Sequence, residues 1–221
     1  MSHSAHEVYT HLFDSLGPQG WWPGESTFEI MVGAVLVQNT AWRNVERAID
    51  NLKRNKLLTP RKIYALPTDE LAELIRPAGY YRIKAKRLHN LVRFFIERYR
   101  GSLAALHNVD LHQLRQELLA VNGIGPETAD SILLYAVGKP IMVVDTYTAR
   151  IFTRHGWVPY GTAYEPLREH LTRELPCDAA TYNEFHALLV HVGHHHCRPV
   201  PRCEGCPLRE FLPAAGIVLP P

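Results

Sequence analysis

A chain of 221 residues, 46% of them hydrophobic, is long enough to bury a sizeable core as one large domain or two small ones. Its formal net charge of +2 does not by itself announce a nucleic-acid binder, although thirteen histidines add positive charge at mildly acidic pH. No apolar run approaches the roughly 20 residues of a membrane span, and the polar start MSHSAHEVYTHLF is unlike a signal peptide. The chain reads as soluble and cytoplasmic.

The first helical pattern covers residues 5–16 and stops at Gly17-Pro18. In the WWPGEST segment that follows, Trp21 and Trp22 fall in a loop, where large aromatic rings call for a partner surface or a ligand. Ser26 or Thr27 caps the next helix, residues 28–36, whose nearly unbroken apolar run marks it as the central, buried one. Gln38-Asn39-Thr40 then turns a surface corner before a polar helix carrying Trp42, Val45, Ala48, Ile49 and Leu52. Two short helices flank Pro67-Thr68-Asp69, and Gly79 precedes a longer one with an inner face of Leu88, Leu91, Val92 and Phe95. Lys84, Lys86 and Arg87 open that helix against its dipole, which suggests an external anion, with a solvated charged face as the alternative.

Residues 111–121 repeat apolar side chains at helical spacing until Asn122-Gly123-Ile124-Gly125 breaks the pattern. Pro126 suits the first position of a second helix running to Gly138. Two glycines at alternate positions permit positive φ and close approach of another backbone, a geometry suited to gripping a phosphate through main-chain N–H groups or to an ordinary helix–helix turn. Beyond Gly138 the apolar run Ile141-Met142-Val143-Val144 leads into Asp145. A carboxylate bordered by that much hydrocarbon needs hydrogen bonds, and a helix over residues 147–155 would supply them, which also fits a plain N-cap. Helices over 164–175 and 179–192 complete the pattern.

GIGPETA over residues 123–129, followed at this spacing by VVDT over 143–146, resembles the helix-hairpin-helix DNA glycosylase superfamily, in particular its endonuclease III group. The resemblance runs from about residue 28 to residue 206 and includes a G-Y-x(3)-K-A segment at Gly79–Ala85. It implies an all-α, two-lobed fold: a central six-helix lobe, 25–138, and a second lobe of 1–24 with 139–221, Asp145 facing the cleft between them. It further implies that Asp145 is the catalytic residue, stabilising the cationic sugar formed as a flipped-out base departs. By the same resemblance Gln38 fills the gap in the duplex, and Asn39, Gly123, Ile124, Gly125, Lys84 and Lys86 contact DNA.

Endonuclease III proper carries a lysine two residues past the second hairpin glycine, where this chain has Glu127, and a carboxylate cannot form an imine. Lys139 sits at the far end of the second hairpin helix, roughly 20 Å away at 1.5 Å per residue. The reading is therefore a monofunctional base excision repair glycosylase with absent or weak lyase activity. WWPGESTFE, VQNTAW and the hairpin glutamate resemble the 3-methyladenine glycosylase branch, which places an alkylated purine against Trp21, Trp22, Trp42 and Glu127. Tryptophan faces attract cations by about 0.5–2 kcal/mol and stack on extruded bases, though core packing would also account for these rings. The alternatives are the same fold acting on uracil, mismatched thymine or oxidised pyrimidines, and a DNA-binding module without catalysis. The partner is double-stranded DNA with a damaged base; the protein is read as a nucleoid-associated monomer.

Cys197, Cys203 and Cys206 form C-x(5)-C-x(2)-C, a spacing that in an intracellular chain argues for metal over disulfides. Residues 196–207 resemble the family's [4Fe–4S] loop, with two departures: the first gap is five residues instead of six, and Leu212 stands near the place of the fourth cysteine. A histidine among His194, His195 and His196 could complete the set, and Cys177 is a poor substitute. Four states stay open: a cluster with a noncysteine ligand, a three-iron cluster, zinc, or no metal.

Overall fold

The computed structural model describes residues 3–220, and every regular element among them is helical. The chain divides into two compact units. One is Pro23–Lys139; the other combines the segment through Trp22 with everything described from Pro140 onward.

The chain begins with α1 (Ala5–Leu16), closed by a reciprocal cap: Ser4 Oγ accepts from the Glu7 N–H while the Glu7 carboxylate accepts from the Ser4 N–H. In the Pro23–Lys139 unit, Ser26 caps α2 (Thr27–Leu36), which is buried from Met31 through Leu36 without a break, as its composition demands. Around it pack α3 (Trp42–Arg54), with Val45, Ala48, Ile49 and Leu52 inward, and, beyond α4 (Pro60–Ala65) and α5 (Thr68–Leu74), the long α6 (Tyr81–Tyr99). After α7 (Leu103–His107) come the hairpin helices: α8 (Leu111–Leu119), capped by Asp110, and α9 (Pro126–Ser131), which continues as a π turn over Ile132–Ala136. α8 ends two residues short of Val121, whose side chain is still buried, in the turn.

In the other unit the buried stretch Ile141, Met142, Val143 and Val144 delivers the chain to α10 (Thr146–Arg154). α11 (Tyr164–Thr172) and α12 (Ala179–His195) follow, and a single 3-10 turn over Pro207–Phe211 closes the chain against α1. Both α1 and α10 lie on α12. Gly193 of α12 explains the close approach of α10, because a Cβ there would collide with the Tyr147 ring.

The two hairpin helices are stapled by a buried ion pair. Arg115 of α8 donates through Nε to Asp130 Oδ1 (2.7 Å) and through Nη2 to Oδ2 (3.1 Å), and Asp130 is fully buried. Removing one partner strands a buried charge, which typically costs about 3–5 kcal/mol. Arg115→Met should accordingly lower unfolding free energy by about 3 kcal/mol in urea titration; a change below about 1 kcal/mol would mean the pair contributes little.

Candidate active site and hairpin

Asp145 is the N-cap of α10. Its Oδ1 accepts from the Thr148 N–H at 2.7 Å, and its side chain keeps 11% of its surface exposed. On the other side of the carboxyl, Nε2 of the buried His186 stands 3.7 Å from Oδ2. Burial works against the charge, but the imidazole of His186 and the Thr148 N–H outweigh it and hold the carboxyl below the usual carboxylate range. Asp145 is therefore a carboxylate at neutral pH, nearly dry and aimed by contacts on both oxygens. The N-cap and the catalytic readings of this residue are compatible, since capping is what orients it.

His186 was not among the sequence candidates. It sits between Phe185 and Ala187 on the apolar stretch of α12, where a histidine reads as core packing. Trp21 and Trp22 belong to this same unit; their rings meet edge to face with centroids 5.5 Å apart, and both are half-buried. The Trp21 indole N–H is buried, with no hydrogen-bond partner among the described residues.

The hairpin belongs to the Pro23–Lys139 unit. Gly123 has φ +94°, and a Cβ on it would collide with the Arg87 side chain, so this glycine serves both conformation and packing. Gly125 departs from the expected pair of left-handed glycines: it is extended, at φ −94° and ψ 178°, exposed, with nothing near the place of its missing Cβ. Ile124 is buried and anchors the loop. Gln38 reaches the hairpin, donating through Nε2 to Gly123 O (3.2 Å) and Thr128 Oγ1 (2.9 Å), while Arg87 Nη1 donates to Gln38 Oε1 (2.5 Å). Asn39 is exposed, in the left-handed region at φ 52°. Glu127 is exposed in the first turn of α9, and Trp42 is half-buried at the first position of α3.

Lys84 is a correction. The sequence suggested a phosphate contact, but the side chain is 1% exposed and its ammonium donates to Leu36 O (2.9 Å) and Ala78 O (2.8 Å). It closes the ends of α2 and of the 3-10 turn Arg76–Ala78, because every other turn of α6 in this register faces the core. Lys86, two residues on, is exposed and free to meet an anion.

The family model of the HhH-GPD superfamily of base excision DNA repair proteins matches residues 32–177, a range that holds both the hairpin and Asp145. The chain belongs to this superfamily. A Methanocaldococcus jannaschii protein provisionally named a DNA repair glycosylase is 47% identical over 208 residues, 93% of this chain and 94% of the relative. Endonuclease III of Thermotoga maritima is 32% identical over 83% of this chain and 81% of its own. Among solved structures, Helicobacter pylori 3-methyladenine DNA glycosylase (MagIII) bound to 1,N6-ethenoadenine superposes with a TM-score of 0.77 at 28% identity, covering 87% of this chain and 98% of that one. The chain is thus a DNA glycosylase of base excision repair.

The donor set of the cysteine loop bears on the iron–sulfur reading. Cys197, Cys203, Cys206 and His196 line one small cavity with Leu212 and Ile217. Among the described residues, however, no three His, Cys, Asp or Glu side chains converge closely enough to hold one ion, and Leu212 presents hydrocarbon where a fourth thiolate would be needed. His194 and His195 are exposed and outside that lining. The residues present do not fit a four-cysteine cluster. The loop has other support: Arg154 donates to Arg198 O (2.6 Å), Pro199 O (2.8 Å) and Cys197 Sγ (3.4 Å), and Arg150 Nε donates to Cys197 O (2.6 Å).

Two measurements check these assignments. Burial, reinforced by the Arg87 charge, pushes Lys84 down to about 8 from its ordinary 10.5. Between those values the unfolded chain binds more protons than the folded one, so stability must rise with pH. Wild-type urea midpoints should therefore climb from pH 8 to 10.5 relative to Lys84→Met, and parallel curves would refute the assignment. In the loop, Arg154→Ala should lower Tm by several degrees, as expected for about 2 kcal/mol, whereas Cys203→Ser should leave it nearly unchanged. Bound iron or zinc together with a lowered Tm in Cys203→Ser would show instead that the thiols hold a metal.

Proposed function

We propose that this glycosylase is monofunctional, acting as a monomer on double-stranded DNA to hydrolyse the N-glycosidic bond of an extruded alkylated purine such as 3-methyladenine. The observation that carries the reading is Asp145, a carboxylate kept ionised in an almost dry setting. As the base departs with the bonding electrons, C1′ and the ring oxygen of the sugar become cationic, and a fixed negative charge at that point lowers the barrier. Water, oriented by the same carboxylate, then adds to C1′, giving the abasic sugar and the free base.

The absence of a lyase step follows from Glu127. An imine at C1′ requires an amine at the hairpin, where Glu127 offers none; Lys84 caps carbonyls and Lys139, at the far end of the second hairpin helix, donates to His107 O at 2.8 Å. To Trp21, Trp22, Trp42 and Glu127 we assign contacts with the flipped base, whose positive charge suits aromatic faces and a carboxylate. The likeness to a 3-methyladenine glycosylase holding an ethenoadenine supports this choice. Gly123, Ile124 and Gly125 are assigned to a phosphate, Gln38 and Asn39 to the vacated stack, and Lys86 to the DNA backbone.

The test is a release assay on methylated duplex DNA, with parallel duplexes carrying uracil, mismatched thymine or oxidised pyrimidines. Free 3-methyladenine should appear, with strand breaks only after alkali or an added abasic-site endonuclease, and Asp145→Asn should slow release at least about a hundredfold while DNA binding persists. Release of pyrimidine lesions alone would overturn the substrate, nicking in step with base release would overturn the monofunctional mechanism, and unchanged activity in Asp145→Asn would overturn the assignment of Asp145.

A further inference from the structure

His186 faces the carboxylate on which the proposed chemistry turns, and nothing in the sequence pattern called for it there. Its side chain is 5% exposed, it projects from the middle of α12, and its Nε2 approaches Oδ2 of Asp145 while the Thr148 N–H occupies Oδ1. The approach is structurally supported along the whole contact. Tyr147 packs where Gly193 has no side chain, and Arg150 binds the carbonyls of Cys197 (2.6 Å) and Gly193 (3.5 Å), so α10 and α12 are held together on the same side as the Asp145–His186 pair. A histidine buried only to fill space has no need to direct a ring nitrogen at a carboxylate, and a core leucine would fill the volume without the desolvation penalty.

We infer that His186 is a positioning residue for Asp145: through a proton on Nε2 it orients the carboxylate so that one oxygen faces the sugar that becomes cationic. This inference rests on the catalytic reading of Asp145. The 3.7 Å separation is longer than a closed hydrogen bond, and such catalytic contacts commonly tighten when substrate is bound. Two anchors, one on each oxygen, remove the rotation about the carboxyl that a single N-cap bond would leave. A capping bond alone would hold the helix start but not the aim.

Single-turnover base release and DNA affinity, measured for His186→Phe, His186→Gln and each combined with Asp145→Asn, decide the matter. Phenylalanine keeps the volume and removes the donor; the glutamine amide nitrogen falls near the place of Nε2 and keeps it. His186→Phe should slow release about ten- to a hundredfold, the size of a lost hydrogen bond to a charged group, with DNA affinity unchanged within twofold. His186→Gln should recover most of the rate, and neither change should slow Asp145→Asn further. Equal slowing by both substitutions, or a loss confined to DNA affinity, would overturn the inference. If His186→Phe does not fold, nitrogen-15 spectra of the imidazole remain decisive: Nε2 should carry a proton and its resonance should shift in Asp145→Asn. An Nδ1–H tautomer, or resonances indifferent to Asp145→Asn, would overturn it. Loss of release in Asp145→Asn with full activity in His186→Phe sinks this inference alone, whereas an active Asp145→Asn sinks the parent reading.

Discussion

A carboxylate can remain charged beside hydrocarbon only if the protein replaces the water it has lost. In the unit that holds Asp145, that requirement organises much of what surrounds it. Four apolar residues, Ile141 through Val144, bury the approach, so the charge arrives with little solvent of its own. α10 must begin at that residue for the Thr148 N–H to point at Oδ1, and α12 must pass close enough for His186 to reach Oδ2. The close passage depends in turn on Gly193, where any side chain would displace Tyr147. Charge, cap and helix packing thus form one dependency: a change to any of them alters the aim of the carboxylate.

The Pro23–Lys139 unit meets the same cost in a different way, by pairing buried polar groups with one another. Asp130 is neutralised by Arg115 across the hairpin, and Lys84 is satisfied by the carbonyl ends of two neighbouring elements. Both interactions join separate elements, which makes them devices of geometry more than of net stability. Arg87 joins them by lying across Gly123 and binding Gln38, whose amide in turn reaches Gly123 and Thr128. The corner at Gln38 and the hairpin are therefore set relative to each other before any ligand arrives, which shortens the conformational search on binding.

The C-terminal loop draws its structural support from guanidinium groups. Three thiols remain near one cavity, but the carbonyls of Cys197, Arg198 and Pro199 are taken by Arg150 and Arg154, and Val218 N–H returns to the Arg154 carbonyl at 2.9 Å. Guanidinium groups suit this work because one planar head satisfies several acceptors at fixed angles.

The sequence by itself determined the helical class, several helix starts, the hairpin and the candidate carboxylate. Each is written locally: Ser26 caps where a capping residue is expected, Pro126 opens α9, and apolar spacing identifies α2 and α6 as core helices. Tertiary structure decided what periodicity cannot express, namely which polar side chains point inward and what they meet. Lys84 and Lys86 are indistinguishable as letters, yet their positions around α6 put one in the core and the other in solvent. Gly123 and Gly125 look equivalent, but only one adopts positive φ under the Arg87 side chain. His186 was hidden for the same reason: its partner lies on another helix, and a contact between helices is a fact about packing, which chain order alone does not contain.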